Sequence, residues 1–373
     1  MSKKIVFLTG TRADFGKLKS LIEITTRSEE FDVHIFVTGM HMQAKYGYTV
    51  AEIEKCGYKQ IYKYINHTSE SSMDNNLAKT IEGLSNYVKE FKPDLIVVHG
   101  DRVEALAGAI VGSLNNILVA HIEGGEVSGT IDELIRHAVS KMSHIHFVSN
   151  ELAQKRLIQM GELQENIYVI GSPDVDAMLS SNLPSIDEVK KRYDINFDEY
   201  AVALFHPVTT EVEYMQKYSM QFVDALLASN DNYIVIFPNN DLGSSAILHE
   251  YERLKGNPNF RIFPSIRFEY FLVLLENARF LVGNSSAGIR EAPYYGLPAV
   301  NIGTRQQNRA LHNDIINCGY GTEDIQKSIH TAKKSEFKKV NLFGKGNSDV
   351  LFFETLNSDN FWNISKQKKF KDL

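Results

Sequence analysis

The sequence is poor in everything that marks a secreted, membrane-spanning or nucleic-acid-binding protein. Its 373 residues contain two cysteines, Cys56 and Cys318, with no CxxC spacing. They offer no disulfide framework and no thiolate metal site, so reduced thiols are expected. No run of 18 apolar residues occurs, the length that a membrane-spanning helix needs. The formal net charge is −6, without the basic surplus of a nucleic-acid binder. The opening MSKKIVFLTG has an apolar run that stops at Gly-Thr-Arg, too short for a secretory signal and without a small-residue cleavage site. We therefore expect a cytoplasmic protein with no nucleic-acid and no membrane partner. No internal repeat or low-complexity block is present.

The common phosphate and metal signatures are missing too. GTRADFGK lacks the GxxxxGK[ST] spacing, and LTGTRADFG reads GxxxxxG where a dinucleotide fingerprint would read GxGxxG. No HxxxH or HExxH pair occurs, and His144 and His146 alternate along a strand. No metal and no cofactor are expected.

What is present is an alternating α/β pattern. Apolar residues make up 43% and charged residues 23%, as in an ordinary globular chain. The length suits two domains of about 150–200 residues each. Short β-branched runs at 4–10, 32–39, 94–100, 117–123, 144–149 and 167–172 read as strands. Helix-length stretches at 16–27, 76–91, 102–115 and 132–143 lie between them. The turn-rich GSPDVDAM at 171–178 marks a boundary, giving domains 1–172 and 173–349. Strand candidates resume at 201–207, 233–241, 259–265, 278–286 and 298–303. Strands apolar on both faces and separated by helices predict parallel sheets covered on both sides. The expected fold is α/β: two Rossmann-like doubly wound domains facing across a cleft at their strand C-termini. The basic end KQKKFKD reads as a solvated, frayed terminus.

The strand ends carry the chemistry. TGTRAD, TGMHM, HGDR, HIEGGE, FHPVTT, FPNND and GNSSAGIRE each join a Gly or Pro to polar, charged or imidazole side chains. One such end is routine loop chemistry; seven describe a polar ligand held by many contacts. In GNSSAGIRE, Ser285 and Ser286 stand where a strand turns into a helix, whose free N–H groups and dipole suit phosphate oxygens. A helix cap accounts for one serine but not both. Glu291 could accept ribose hydroxyls, Arg12 in the first loop could pair with a diphosphate, and His206 could donate to a phosphate. The bland readings are a solvated charge for Glu291 and a structural strand-end imidazole for His206. After HIEGGE, Thr130 and Glu133 form a possible capping box, and Asp132 and Arg136 can pair at i,i+4. That pairing suffices to account for Arg136, whereas Asp132 stays a candidate because of its closeness to the HIEGG edge.

Taken in order, TGTRADFGKL, HGDR, HIEGGEVSGTIDE, IRHA, FHPVTTE, FPNNDLGS, GNSSAGIREAP and NIGTRQ resemble the hydrolysing UDP-N-acetylglucosamine 2-epimerases over residues 1–350. The resemblance implies a GT-B-like fold with a C-terminal helix, at 350–373, that completes the first domain. It implies conversion of UDP-N-acetylglucosamine and water to UDP and N-acetylmannosamine, for sialic acid synthesis, by a homodimer or homotetramer. It implies that Arg12, His206, Ser285, Ser286, Glu291 and Arg305 hold UDP, that Asp101, Glu123 and Asp132 move protons, and that His41 lies on the sugar side. Arg102, Arg136, Asn239 and Arg290, inside the same motifs, complete the expected substrate contacts. Non-hydrolysing relatives carry an LRTGD-like insertion where this chain has GEVSGT. The alternatives are the same chemistry on a 2,4-diacetamido-trideoxy sugar for legionaminic acid, a GT-B glycosyltransferase, and a silent nucleotide-sugar sensor.

Overall fold

The computed structural model describes residues 2–67, 72–127, 130–306, 315–340, 343–358, 360–369 and 371, with Thr130 described by its backbone alone. The chain divides into one unit made of 1–126, 132–181 and 342–373 and another made of 127–131 and 182–341.

The first unit is built on β1 (Lys3–Thr9), β2 (Phe31–Val37), β3 (Ile61–Lys63), β4 (Leu95–His99), β5 (Leu118–Ile122), β6 (Ile145–Val148) and β7 (Ile167–Val169). They form one parallel sheet in the order β3-β2-β1-β4-β5-β6-β7. The order reverses direction between β1 and β4, and loops at such a switch point are where open α/β sheets take ligands. The apolar runs IVFL and LIVV bury both faces of β1 and β4, as parallel strands with helices on each side require. Of the two edges, β7 falls within the strand expected at 167–172, whereas β3 was not legible by pattern: it is three residues long and mostly exposed. The helix Arg12–Thr26 begins earlier than the expected 16, because Thr11 accepts a hydrogen bond from the Asp14 N–H at 3.1 Å and caps it. Arg12 is therefore the first helical residue and not a loop residue.

The C-terminal helix, expected at 350–373, spans Ser348–Leu356 and is followed by a 3₁₀ turn at Phe361–Asn363. Phe352, Leu356 and Phe361 are buried in the first unit's core beside Phe7 and Phe147. The basic end is not frayed at Lys368. Its ammonium donates to the carbonyls of Ser140, Lys141 and Ser143, at the end of the helix Thr130–Met142, and pairs with Glu162. Carbonyls at a helix C-terminus carry the negative end of its dipole, so a cation there is favourable. Glu162, which also meets His146, is held ionised, its pKa lowered to about 2 in spite of burial.

The second unit repeats the plan with β8 (Ala201–Leu204), β9 (Tyr233–Ile236), β10 (Phe260–Phe263), β11 (Leu281–Gly283), β12 (Ala299–Ile302) and β13 (Ile315–Cys318). The parallel order is β10-β9-β8-β11-β12-β13, with the switch between β8 and β11. Separate apolar cores cover the two faces of this sheet, one around Phe205 and Phe222 and one around Leu274 and Leu281. β13 is a second edge strand that the pattern did not announce. Among the described residues, no helix is long and apolar enough to cross a membrane.

Candidate active site

The loops that leave β4 and β5 answer why two neighbouring strands end in His, Gly and an acid. Each histidine bridges protein groups. His121, at the end of β5, is wholly buried and contacts the Gly100 carbonyl at 2.8 Å through Nε2 and the Ser140 hydroxyl at 3.0 Å through Nδ1. A carbonyl only accepts, so Nε2 carries the proton. Desolvation holds this ring well below its usual pKa, and it is neutral. His99, at the end of β4, lies between two carboxylates: Nδ1 is 2.9 Å from Asp14 Oδ1 and Nε2 is 3.2 Å from Glu123 Oε2.

Glu123 is 2% exposed. Its second oxygen, Oε1, accepts the Ser172 hydroxyl at 2.5 Å. The residue has φ +64°, a left-handed conformation uncommon for a side chain of this kind. Such strain is retained where surrounding bonds over-determine it. Here the Glu123 N–H donates to the Phe147 carbonyl at 2.8 Å, and the Glu123 carbonyl accepts from Arg136 Nη1 at 2.5 Å. The glycines that follow are required by contact. A Cβ on Gly125 (φ +73°) would stand 2.3 Å from the Ala153 carbonyl oxygen.

Arg136 ties the two strand ends together. Its other nitrogen, Nη2, is paired with the carboxylate of Asp101, which is partly exposed. One guanidinium therefore fixes the Asp101 side chain and the Glu123 backbone at once, the forked geometry that a lysine could not supply. Arg136, expected among the substrate contacts, is 3% exposed and bonds protein groups on both loops. Asp132 stands one turn earlier on the same helix and is partly exposed. Thr130, the expected cap of that helix, has its side chain outside the described residues.

His41, expected on the sugar side, braces protein groups. It is 1% exposed, with Nε2 against the Thr9 hydroxyl at 3.1 Å and Nδ1 against the Thr49 hydroxyl at 2.7 Å. Burial lowers its pKa to about 4, so it is a neutral cross-brace between the β1 and β2 loops. Arg12 bonds Glu52 at 2.5 Å, and Arg102 bonds Glu104 at 3.3 Å.

In the second unit the switch point brings His206, Asn239, Ser285, Ser286 and Arg305 around one buried residue, Asn284. Its side chain accepts the His206 N–H at 2.6 Å and donates to the His206 carbonyl at 2.8 Å, joining the ends of β8 and β11. Its own carbonyl accepts from Arg305 at 3.3 Å and from Gln306 at 3.0 Å. His206 Nδ1 accepts the Asn239 backbone N–H at 3.0 Å. A nitrogen that accepts carries no proton, so the neutral ring bears its hydrogen on Nε2, the nitrogen directed away from this contact. Gly283 (φ +143°) is obligatory, since a Cβ there would lie 1.8 Å from the Leu204 carbonyl oxygen.

The helix expected after the serines is a correction. Ser286–Gly288 form a single 3₁₀ turn, which Ser285 caps by accepting from the Ala287 N–H at 3.3 Å, and the following helix, Glu291–Tyr295, has five residues. So short an element has a small dipole, and hydroxyls and single N–H groups remain as the donors. Arg290 and Glu291 are buried, at 4% and 3% exposure.

Sequence reading passed over Asp14, Asn284 and Glu211. Glu211, in the HPVTTE stretch, accepts the Thr304 hydroxyl at 2.5 Å and the Tyr320 hydroxyl at 3.0 Å, which ties the β8 loop to NIGTR. Asp14 and Asn284 were visible inside quoted motifs, but their partners lie 85 and 78 residues away. Among the described residues, no group of three or more His, Cys, Asp or Glu side chains is placed to hold a metal ion.

The profile of the UDP-N-acetylglucosamine 2-epimerase family matches residues 23–357. A UDP-N-acetylglucosamine 2-epimerase of Neisseria meningitidis is 48% identical, with all of this chain and 99% of that protein covered. A Legionella pneumophila protein named UDP-N,N'-diacetylbacillosamine 2-epimerase (hydrolyzing) is 34% identical over 95% of this chain and 96% of its own. The solved Methanocaldococcus jannaschii UDP-GlcNAc 2-epimerase, in complex with UDP-GlcNAc and UDP, has a TM-score of 0.81 at 23% identity, covering 95% of this chain and 99% of that one. That likeness shows a shared GT-B-like fold. Profile and identity together settle the family: the chain belongs to the UDP-N-acetylglucosamine 2-epimerases.

Proposed function

We propose that the protein is a hydrolysing epimerase that converts UDP-N-acetylglucosamine and water to UDP and N-acetylmannosamine. The observation that carries the reading is the single guanidinium, Arg136, that bonds both the Asp101 carboxylate and the Glu123 backbone. Two carboxylates set from one buried anchor suit a reaction that handles a proton on each face of a ring.

The sugar C2–H has no carbonyl beside it and is not acidic on its own. It becomes acidic once the C1–O bond to diphosphate stretches and C1 gains positive charge. Departure of UDP is therefore stabilised first. His206 with its proton on Nε2, the hydroxyls of Ser285 and Ser286, and the guanidiniums of Arg305 and Arg12 are the groups proposed for this. A donor of that kind contributes about 10²–10³-fold in rate. One carboxylate accepts the C2 proton and gives 2-acetamidoglucal. Water then adds at C1 while a proton returns to C2 from the opposite face.

The GEVSGT stretch and the "(hydrolyzing)" relative at 34% identity support the hydrolysing branch. The 48% identical relative supports N-acetylglucosamine as the sugar; the Legionella relative makes the 2,4-diacetamido sugar the second candidate. Incubation in D₂O with each UDP-sugar decides. N-acetylmannosamine carrying deuterium at C2, with one UDP released per sugar, is the expected result. Formation of UDP-N-acetylmannosamine instead would place the protein in the non-hydrolysing branch. Chelation is a second test: the diphosphate charge is assigned to arginines and hydroxyls, so EDTA-treated protein should keep full turnover. A loss that Mg²⁺ restores would show that a ligand set had been overlooked.

A further inference from the structure

Asp101 and Glu123 are both carboxylates, but their partners differ in one decisive respect. Asp101 is paired with a guanidinium, which does not release its proton in a protein. Glu123 is paired with an imidazole, which does. We propose that His99, clamped by Asp14, is a proton store that charges Glu123 as the acid of the hydration step, leaving Asp101 as the base of the elimination step. The proposal rests on the elimination–hydration reading above and assigns the two roles within it.

The geometry supports a charged ring. Both nitrogens of His99 face carboxylate oxygens, at 2.9 and 3.2 Å, and a carboxylate offers only acceptors. Asp14 is fixed for this task. Its other oxygen accepts the Gly10 N–H at 3.1 Å, and its own N–H is held by Thr11. Burial opposes the charge on His99, but Glu123 and Asp14 outweigh it and raise its pKa to about 9. The charged and titratable groups facing this ring are Asp14 on the first helix, Glu123 beyond β5 and the neutral His121 on β5.

The balance of protons fits the exposures. In the first step the C2–H bond breaks, its proton goes to Asp101, the electron pair forms C1=C2, and the C1–O pair leaves with UDP. In the second step the His99 Nε2 proton passes to Glu123 and from there to C2, and water bonds to C1. The water's proton returns through Glu123 to His99. Asp101, at 21% side-chain exposure, gives its proton to solvent, the one proton that the net reaction releases. Glu123, at 2%, has no such route to bulk water, and the store supplies what solvent cannot.

In this assignment His99 and Asp14 are positioning residues that act through Glu123. The test is therefore the partition of products. Wild type, Asp14→Asn, His99→Asn and Asp101→Asn are given UDP-N-acetylglucosamine in D₂O, with UDP, 2-acetamidoglucal and N-acetylmannosamine followed by NMR. UDP affinity is measured alongside as a check of folding. We expect Asp14→Asn and His99→Asn to release glycal and form N-acetylmannosamine at least tenfold more slowly. Asp101→Asn should form no glycal. The basic limb of the Asp14→Asn pH profile should move to lower pH, since His99 has lost one counter-charge. Glycal and N-acetylmannosamine falling together, with an unmoved pH limb, would overturn the proposal and leave His99 as a brace. A wild type that releases UDP without deuterium at C2 of the sugar would instead sink the elimination reading itself.

Discussion

Glu123→Gln is expected to form N-acetylmannosamine about 10²–10⁴-fold more slowly than the parent protein, the range that a positioned proton carrier supplies. A large loss is expected from this near-isosteric change because of the contacts of Glu123. Both oxygens of Glu123 accept, one from Ser172 and one from His99. A glutamine offers one oxygen and one NH₂, so one of these donors then faces another donor. An opposed pair of this kind in a buried site costs about 1–3 kcal/mol. The left-handed backbone adds to the demand, because the turn at Glu123 is retained only while its surroundings hold it. UDP affinity should be unchanged, as the groups proposed for the diphosphate lie mainly around Asn284. Calorimetric titration of UDP and a coupled assay for N-acetylmannosamine separate the two effects. If Glu123→Gln turns over within threefold of the parent, Glu123 returns to being a turn residue, and Asp101 and Asp132 become the pair to test.

Much of this was legible in the sequence, for identifiable reasons. Strands buried on both faces announce themselves as continuous apolar runs, and β1, β2, β4 and β5 did so. The edge strands β3 and β13 did not, because each is short and partly exposed and so carries no continuous apolar run, whereas the edges β7 and β10 fall within the strands expected at 167–172 and 259–265. Asp101 and Glu123 stood out as acids in turns that need none. Asp14 did not, since an acid in the first turn of a helix already has a reason to be there. The protein contacts of His41 and Arg136 were hidden for the opposite cause. Each stands in a motif rich in site residues, yet its partners are Thr9 and Thr49 in one case and the β4 and β5 loops in the other. Sequence spacing within a helix offered Asp132 to Arg136, and only the folded sheet brings in Asp101. Lys368 looked like a solvated tail because its acceptors, the last carbonyls of one helix and Glu162, are over 200 residues away in sequence.

Arg136→Met should be the most damaging single change in the first unit. The side chain is buried, and its loss removes one donor from the Asp101 carboxylate and one from the Glu123 carbonyl at once. Removing one partner of a fully buried pair destabilises by about 3–5 kcal/mol, an upper bound here because Asp101 is partly exposed. A destabilised variant alone would not separate folding from chemistry, so Arg136→Lys is the informative companion. Lysine retains the positive charge and most of the length, but its ammonium is a point donor and does not reproduce the fork. It can neutralise Asp101 or hold the Glu123 carbonyl in this geometry, not both. We expect Arg136→Lys to unfold at a temperature closer to the parent than Arg136→Met does, to bind UDP normally, and to lose at least 10²-fold in turnover through misplacement of one carboxylate. The alternative account is the simple helical pair with Asp132, in which charge is all that matters. Under that account Arg136→Lys is nearly silent and Asp132→Ala destabilises as much as Arg136→Met. Thermal unfolding of the three variants, with turnover of Arg136→Lys, distinguishes the two: a near-normal rate in Arg136→Lys would mean that the fork across β4 and β5 does not set the site.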